Sequence, residues 1–228
     1  NMKKDVVALL PMKGNSERVP NKNIKDFNGK PLFYYMLKSL LSSNYISYVV
    51  VNTDSDNIAN KVQNLFPKNV IIEKRPNEIC GDFVSMNKII EYDINIHDSK
   101  FYIQTHSTNP LLRSETIDNA IVEMKKLYNK GFDSIVSVNK LQSRFYDIEN
   151  KPINHDPKNL VRTQDLTPIY EENSCFYIFT KNGFINAGKR RIGKKPYFFS
   201  IDKVESVDID EHQDFVLAEN IFKQKYKV

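Results

Sequence analysis

Apolar residues recur along this chain in two alternating rhythms. Short runs of aliphatic and β-branched residues read as buried strands: Val6–Leu10, Tyr48–Asn52, Val70–Glu73, Lys100–Thr105 and Asp133–Val138. Between them lie stretches with helical spacing. Pro31–Ser42 carries Leu32, Tyr35, Met36 and Leu40 on one side, Asp54–Leu65 has Ile58, Val62 and Leu65 in phase, and Met86–Ile94 and Glu115–Tyr128 follow. This alternation predicts an α/β fold with a mostly parallel sheet and helices on both faces.

The rhythm breaks near Lys140. Gln142–Tyr170 is rich in Asn, Asp, Pro and Lys and reads as an insertion, an arm, a lid or a long surface loop. Beyond it the pattern predicts a strand at Ser174–Thr180, a short helix at Lys181–Ala187 and a last strand at Val204–Asp208. A closing helix, Glu211–Tyr226, turns Phe215, Ala218, Ile221 and Phe222 inward. The 228 residues suit one domain spanning 2–228, with 139–170 as an inserted arm.

Composition narrows the class. A 40% hydrophobic share with 14 Phe and 12 Tyr excludes disorder over most of the chain. A mean hydropathy of −0.50 and the lack of any long apolar run exclude a membrane-spanning helix. Val6–Leu10 stops at Pro11 and reads as a first strand rather than the core of a signal peptide. Cys80 and Cys175 make neither a disulfide framework nor a metal cluster, so a reduced cytoplasm is expected. The net charge of +5 fits an anionic ligand as well as a solvated surface.

The sharpest chemistry lies after the first strand: Pro11-Met12-Lys13-Gly14-Asn15-Ser16-Glu17-Arg18-Val19-Pro20-Asn21-Lys22-Asn23. Nucleotide sites of open α/β sheets occur at this position. The loop holds three cations (Lys13, Arg18, Lys22), a glycine permitting close backbone approach, and Ser and Asn donors. A triphosphate needs such groups, although basic loops are also common as plain solvated surface. The loop matches neither the dinucleotide-binding nor the P-loop fingerprint.

Together with Asn28-Gly29-Lys30-Pro31-Leu32, this loop resembles the signature of the CMP-sugar synthetases, the acylneuraminate and 3-deoxy-manno-octulosonate cytidylyltransferases. Further matches follow in order: Asn52-Thr53-Asp54-Ser55-Asp56-Asn57-Ile58, then Arg75-Pro76 with Asp82 and Ser85, then Ser107-Thr108-Asn109-Pro110-Leu111. Tyr170-Glu171-Glu172-Asn173 with Tyr177, and Val207-Asp208-Ile209-Asp210 with Asp214, complete the set. The resemblance implies a Rossmann-like nucleotidyltransferase that forms a CMP-activated acidic sugar from CTP with Mg2+ and releases pyrophosphate. By the same resemblance, Lys13, Ser16, Arg18, Lys22 and Asn23 hold the triphosphate, with Gly14 and Asn15 beside them. Arg75, Asp82 and Ser85 lie on the nucleotide side, and Asp208 and Asp210 are the metal carboxylates. The 139–170 arm pairs two subunits of a homodimer. Two aspartates two apart on a strand would share a face, while Asp210 could equally cap the following helix.

The acceptor half departs from the family pattern. His106 stands where the family has a sugar-contacting Gln, with Gln104 nearby; Leu112 replaces an Arg; and Arg162-Thr163-Gln164 is one residue out of step. Asn109, a further acceptor-side candidate, stands where the family reads Ser; Asn173 keeps its place, but Ser174 replaces the Gly after it. His106 can bond a hydroxyl when neutral or pair with an anion when protonated. His97, His155 and His212 read as surface residues. Gly188–Lys195 is the densest basic run and reads as a solvated loop, an anionic-acceptor contact or a nucleic-acid patch. Phe198-Phe199 reads as core or subunit contact. The resulting expectation is a cytidylyltransferase acting on CTP and a 2-keto-3-deoxy sugar acid, with neither nucleic acid nor membrane as partner. Its alternatives are a phosphonate or phosphate-monoester acceptor, and a non-catalytic nucleotide- or nucleic-acid-binding module.

Overall fold

The computed structural model describes residues 3–226; residues 2, 227 and 228 of the predicted domain lie outside that range. β1 (Val6–Leu9) opens the chain, and the loop after it contains a helical turn at Lys22–Ile24 and a hairpin of β2 (Asp26–Phe27) with β3 (Lys30–Pro31). Then come α1 (Phe33–Leu41), β4 (Ile46–Thr53), α2 (Asp56–Leu65), β5 (Val70–Lys74), α3 (Met86–Ile96), β6 (Phe101–Thr105) and α4 (Ser114–Tyr128). β7 (Ser134–Leu141), β8 (Ile169–Phe179), α5 (Lys181–Asn186), β9 (Pro196–Ser200) and α6 (His212–Tyr226) complete it.

Seven strands form one sheet in the order β5-β4-β1-β6-β8-β7-β9. Only β8 opposes the others, running antiparallel to both β6 and β7. From β1 the chain moves outward through β4 to β5, then returns to the other side of β1 with β6. Strand order therefore reverses beside β1, and the carboxyl ends of β1, β4 and β6 open a crevice there.

The continuous apolar runs serve two covered faces. Val6, Ala8 and Leu10 pack with Phe33 and Leu37 of α1, Val62 of α2 and Ile121 of α4. Val7 and Leu9 point the other way, to Ile90 and Ile94 of α3 and Phe184 of α5. A third cluster joins Phe27 and Leu32 to Ile209, Phe215 and Ala218, which pins the segment before α6 beside the first loop.

Three expectations change. Val204–Asp208 is no strand; it is a turn followed by irregular chain, and the last strand is β9. The cause is Glu205, whose buried carboxylate accepts from Arg113 N at 2.9 Å and Thr116 Oγ1 at 2.7 Å at the start of α4. That contact draws the segment off the sheet to satisfy a helix N-terminus. β8 begins at Ile169, inside the stretch expected to be irregular, so the excursion narrows to residues 142–168. His97 is buried rather than superficial, held between Tyr48 Oη at 3.1 Å and Glu73 Oε1 at 2.9 Å. Phe199 packs on the core, whereas Phe198 is largely exposed.

Candidate active site

The crevice above β1 is a cleft of about 450 Å³. The first loop contributes Lys13, Ser16, Arg18, Lys22 and Asn23 to its walls, the far side contributes Arg75 and Asp82, and the turn after β6 contributes His106 and Thr108. Eight residues singled out from the sequence thus converge, although they come from four separate segments: Lys13, Ser16, Arg18, Lys22, Asn23, Arg75, Asp82 and His106.

The loop is fastened rather than free. Gly14 N donates to Asp54 Oδ1 at 2.7 Å, and a Cβ on Gly14 would stand 2.9 Å from Ser55 Cβ, so only glycine lets the loop lie against the end of β4. Asn15 is exposed beside it. Asn23 spends its amide on structure: Nδ2 donates to Lys13 O at 2.9 Å, and Oδ1 accepts from Ser107 Oγ. Lys13 spans the cleft mouth to Asp82 at 3.0 Å, an exposed pair that an incoming anion can exchange at little cost. Ser85 caps α3 by accepting from Asn87 N at 3.2 Å and does not line the cleft.

Arg75 is buried on a support that was not legible as a site. Its Nε donates to Asn52 Oδ1 at 2.8 Å and its Nη2 to Asn52 O at 3.1 Å, while Asn52 Nδ2 donates to Asp93 Oδ1 at 2.8 Å. The one available signal was an aspartate at a core position of α3, in phase with Ile89, Ile90 and Ile94. Burial pushes the Asp93 carboxyl up to about 7, with Glu73 adding to the shift and the Asn52 bond and Arg75 opposing it. The folded state therefore holds this proton more tightly than the unfolded chain. Its stabilising effect is complete at acid pH and is lost as pH rises through about 7. Asp93→Asn should match the wild type in thermal melts near pH 4 and exceed it by roughly 2 kcal/mol at pH 8. Parallel melting curves at both pH values would refute this.

Asp208 and Asp210 lie beside the cleft wall. Ile209 N bonds Thr108 O at 2.9 Å and Ile209 O accepts from Lys22 Nζ at 3.1 Å, so the intervening residue is stitched to both sides of the cleft. The two carboxylates are neighbours without the predicted strand. Burial first, and Asp210 after it, push the Asp208 carboxyl up, while the Thr108 hydroxyl and Lys22 act the other way. The helix start leaves Asp210's side chain out of the capping arrangement: Asp214 accepts from Asp210 N at 3.1 Å and Glu211 N at 2.9 Å.

On the acceptor side, Gln104 sits opposite Tyr177 in the β6–β8 ladder and faces His106 Nε2 at 3.2 Å. Burial first, then Arg191 and Lys22, pull His106 down to about 4, so the ring is neutral at pH 7. Asn109 is buried and reaches Val207 O at 3.4 Å. Asn173 accepts from Ser137 Oγ at 2.6 Å and Cys175 N at 3.1 Å, closing a bulge in which Ser174 takes φ 60°. A left-handed backbone of this kind favours glycine, and here a serine adopts it. Arg162 and Gln164 lie on the arm, away from the cleft; Arg162 pairs with Asp165 at 2.8 Å in the open. Arg191, from the basic run, turns inward onto Gln104 and Tyr177.

A family profile described as "Cytidylyltransferase" matches residues 7–226. The chain is 27% identical over 231 residues to the pseudaminic acid cytidylyltransferase of Campylobacter jejuni subsp. jejuni serotype O:2, covering 97% of each. It is 30% identical over 222 residues to N-acylneuraminate cytidylyltransferase A of Danio rerio, covering 94% of this chain and 50% of that protein. Among solved structures, CMP:2-keto-3-deoxy-manno-octonic acid synthetase complexed with CTP superposes with a TM-score of 0.71 at 13% identity, covering 96% of this chain and 99% of that one. Fold, cleft and sequence likeness agree, and the chain belongs to the cytidylyltransferase family.

Proposed function

We propose that this chain transfers CMP from CTP to the anomeric hydroxyl of a 2-keto-3-deoxy sugar acid. The observation that carries the reading is Lys22, which lines the phosphate-loop side of the cleft and bonds the backbone between Asp208 and Asp210. One side chain thus ties a cationic wall to a carboxylate pair. The relatives' names, for pseudaminic acid and N-acylneuraminate, supply the acceptor class.

In this reading Lys13, Arg18 and Lys22 neutralise the triphosphate. The acceptor hydroxyl attacks the α-phosphorus, a new O–P bond forms, the α–β bridging O–P bond breaks, pyrophosphate leaves and the hydroxyl proton is released. Negative charge grows on the departing pyrophosphate, where fixed cations stabilise the transition state most. A neutral His106 accepts or donates a hydrogen bond at the acceptor side without adding charge.

Asp208 and Asp210 suit Mg2+. Their oxygens are hard donors, and like charges this close call for a cation. No cluster of three potential metal-binding side chains occurs among the described residues, which suits an ion that keeps phosphate oxygens and waters as its other ligands. When bound, Mg2+ supplies charge neutralisation at the phosphates. We further read the protein as a single-domain cytoplasmic homodimer. No described helix is long and apolar enough to cross a membrane. Ile148 and Leu160, 99% and 82% exposed on the arm, are surfaces a second copy would cover.

The test is pyrophosphate release from CTP with Mg2+ across a panel of acidic sugars, phosphonates and phosphate monoesters. Turnover confined to 2-keto-3-deoxy acids is expected. No turnover with any of those acids, or turnover with a phosphonate alone, would overturn the reading.

A further inference from the structure

We propose that Arg191 is the anion-binding residue of the acceptor site and takes the carboxylate of the sugar acid, an assignment that rests on the function proposed above. Its guanidinium stacks 3.8 Å from the centroid of the Tyr177 ring, and its Nη1 donates to Gln104 Oε1 at 2.6 Å. Gln104 and Tyr177 are cross-strand partners on β6 and β8, so the two contacts form one rigid seat on the sheet.

The seat leaves the guanidinium without an ion-pair partner. Among the described residues, no carboxylate lies within ion-pair distance of Arg191, whereas the other inward cations of the site, Arg75 and Lys22, are engaged by Asn52 and by Ile209 O. Glu172 favours the charge only from beyond ion-pair distance, and its carboxylate already accepts the Tyr177 hydroxyl. Arginine has five N–H donors, and Gln104 engages one of them. A largely desolvated guanidinium without a counter-ion is costly unless a ligand anion completes it.

The loop that carries Arg191 is built to hold it. Asp133 accepts from Lys194 N at 2.8 Å and Lys195 N at 3.1 Å, and Gly193 N donates to Ser134 Oγ at 2.9 Å. A Cβ on Gly193 would meet Asp133 Oδ1 at 2.2 Å, so the staple demands glycine. Arg191 N itself donates to Asn87 Oδ1 at 3.2 Å on α3. Arg162, by contrast, is exposed and already paired.

Position gives this anion site its meaning. Gln104 touches Arg191 on one side and His106 on the other, and His106 lines the nucleotide cleft. In a 2-keto-3-deoxy acid the carboxylate is bonded to the anomeric carbon that bears the attacking hydroxyl. Holding the carboxylate on Arg191 therefore holds the nucleophile a bond or two away, at the cleft side of the seat.

The experiment compares wild type, Arg191→Met and Arg191→Lys with a 2-keto-3-deoxy sugar acid and its carboxamide, with CTP affinity and melting temperature measured alongside. Arg191→Met should raise the acceptor KM about 100-fold with the CTP KM within about twofold, as expected on losing a bidentate charge-assisted contact. Arg191→Lys should recover part of the loss. Wild type should prefer the acid to the carboxamide, and Arg191→Met should not. An unchanged acceptor KM in a folded Arg191→Met, an equal rise in CTP KM, or a wild type indifferent to the carboxamide would overturn the assignment while leaving the cytidylyl transfer intact. A wild type that turns over no acid overturns the proposed function and this assignment with it.

Discussion

Asp208→Asn should lower kcat by about 100- to 1,000-fold while the melting temperature holds or rises. Burial already makes the charged Asp208 carboxylate costly, and the neighbouring Asp210 adds to that cost. A neutral isostere removes both penalties and can still bond the Thr108 hydroxyl. What it loses is half of a hard-oxygen pair beside the cleft. The Mg2+ concentration giving half-maximal rate should rise in the same variant. Steady-state kinetics against Mg2+ check this, and a variant with wild-type kcat and wild-type Mg2+ response would remove Asp208 from the chemistry.

Lys22→Met should lower kcat/KM for CTP by about 1,000-fold, close to 4 kcal/mol of transition-state stabilisation. Methionine keeps the stem and removes the charge. Lys22 bonds Ile209 O, restrains the Asp208 carboxyl and helps keep His106 neutral, so its loss acts on both walls at once. Charge on pyrophosphate grows during the reaction, so the larger share of the loss should fall on kcat rather than on CTP binding. Lys13→Met makes the contrast. Lys13 pairs with exposed Asp82, and its removal should cost far less. Comparable losses in the two variants would mean that Lys22 is merely one of several loop cations.

The sheet was legible wherever the code is periodic. Val6–Leu10 and Met86–Ile94 declare themselves because both sheet faces are covered and each buried run is long enough to repeat. The first loop was legible because its cations and glycine are dense. The segment before α6 was not, because Val204–Asp208 has the composition of a strand and is drawn away by distant contacts: Glu205 on the start of α4, and Val207 O accepting from Asn109. Local pattern carries no information about a partner 92 residues distant. The same limit hid Arg191. Within a run of lysines and arginines nothing marks the one that turns inward; Gln104, 87 residues earlier, decides it. Ser174 is the opposite case, since its departure from glycine was visible while the φ of 60° behind it was not.

The central claim is that the turn after β1 receives the triphosphate opposite Asp208 and Asp210. A crystal structure with CTP and Mg2+ tests it most directly. The account predicts phosphate oxygens within hydrogen-bonding distance of Lys13, Arg18 and Lys22, the Lys13–Asp82 pair opened, and the ion on the two aspartates. Cytidine bound elsewhere, or a triphosphate turned away from Lys22, would contradict it.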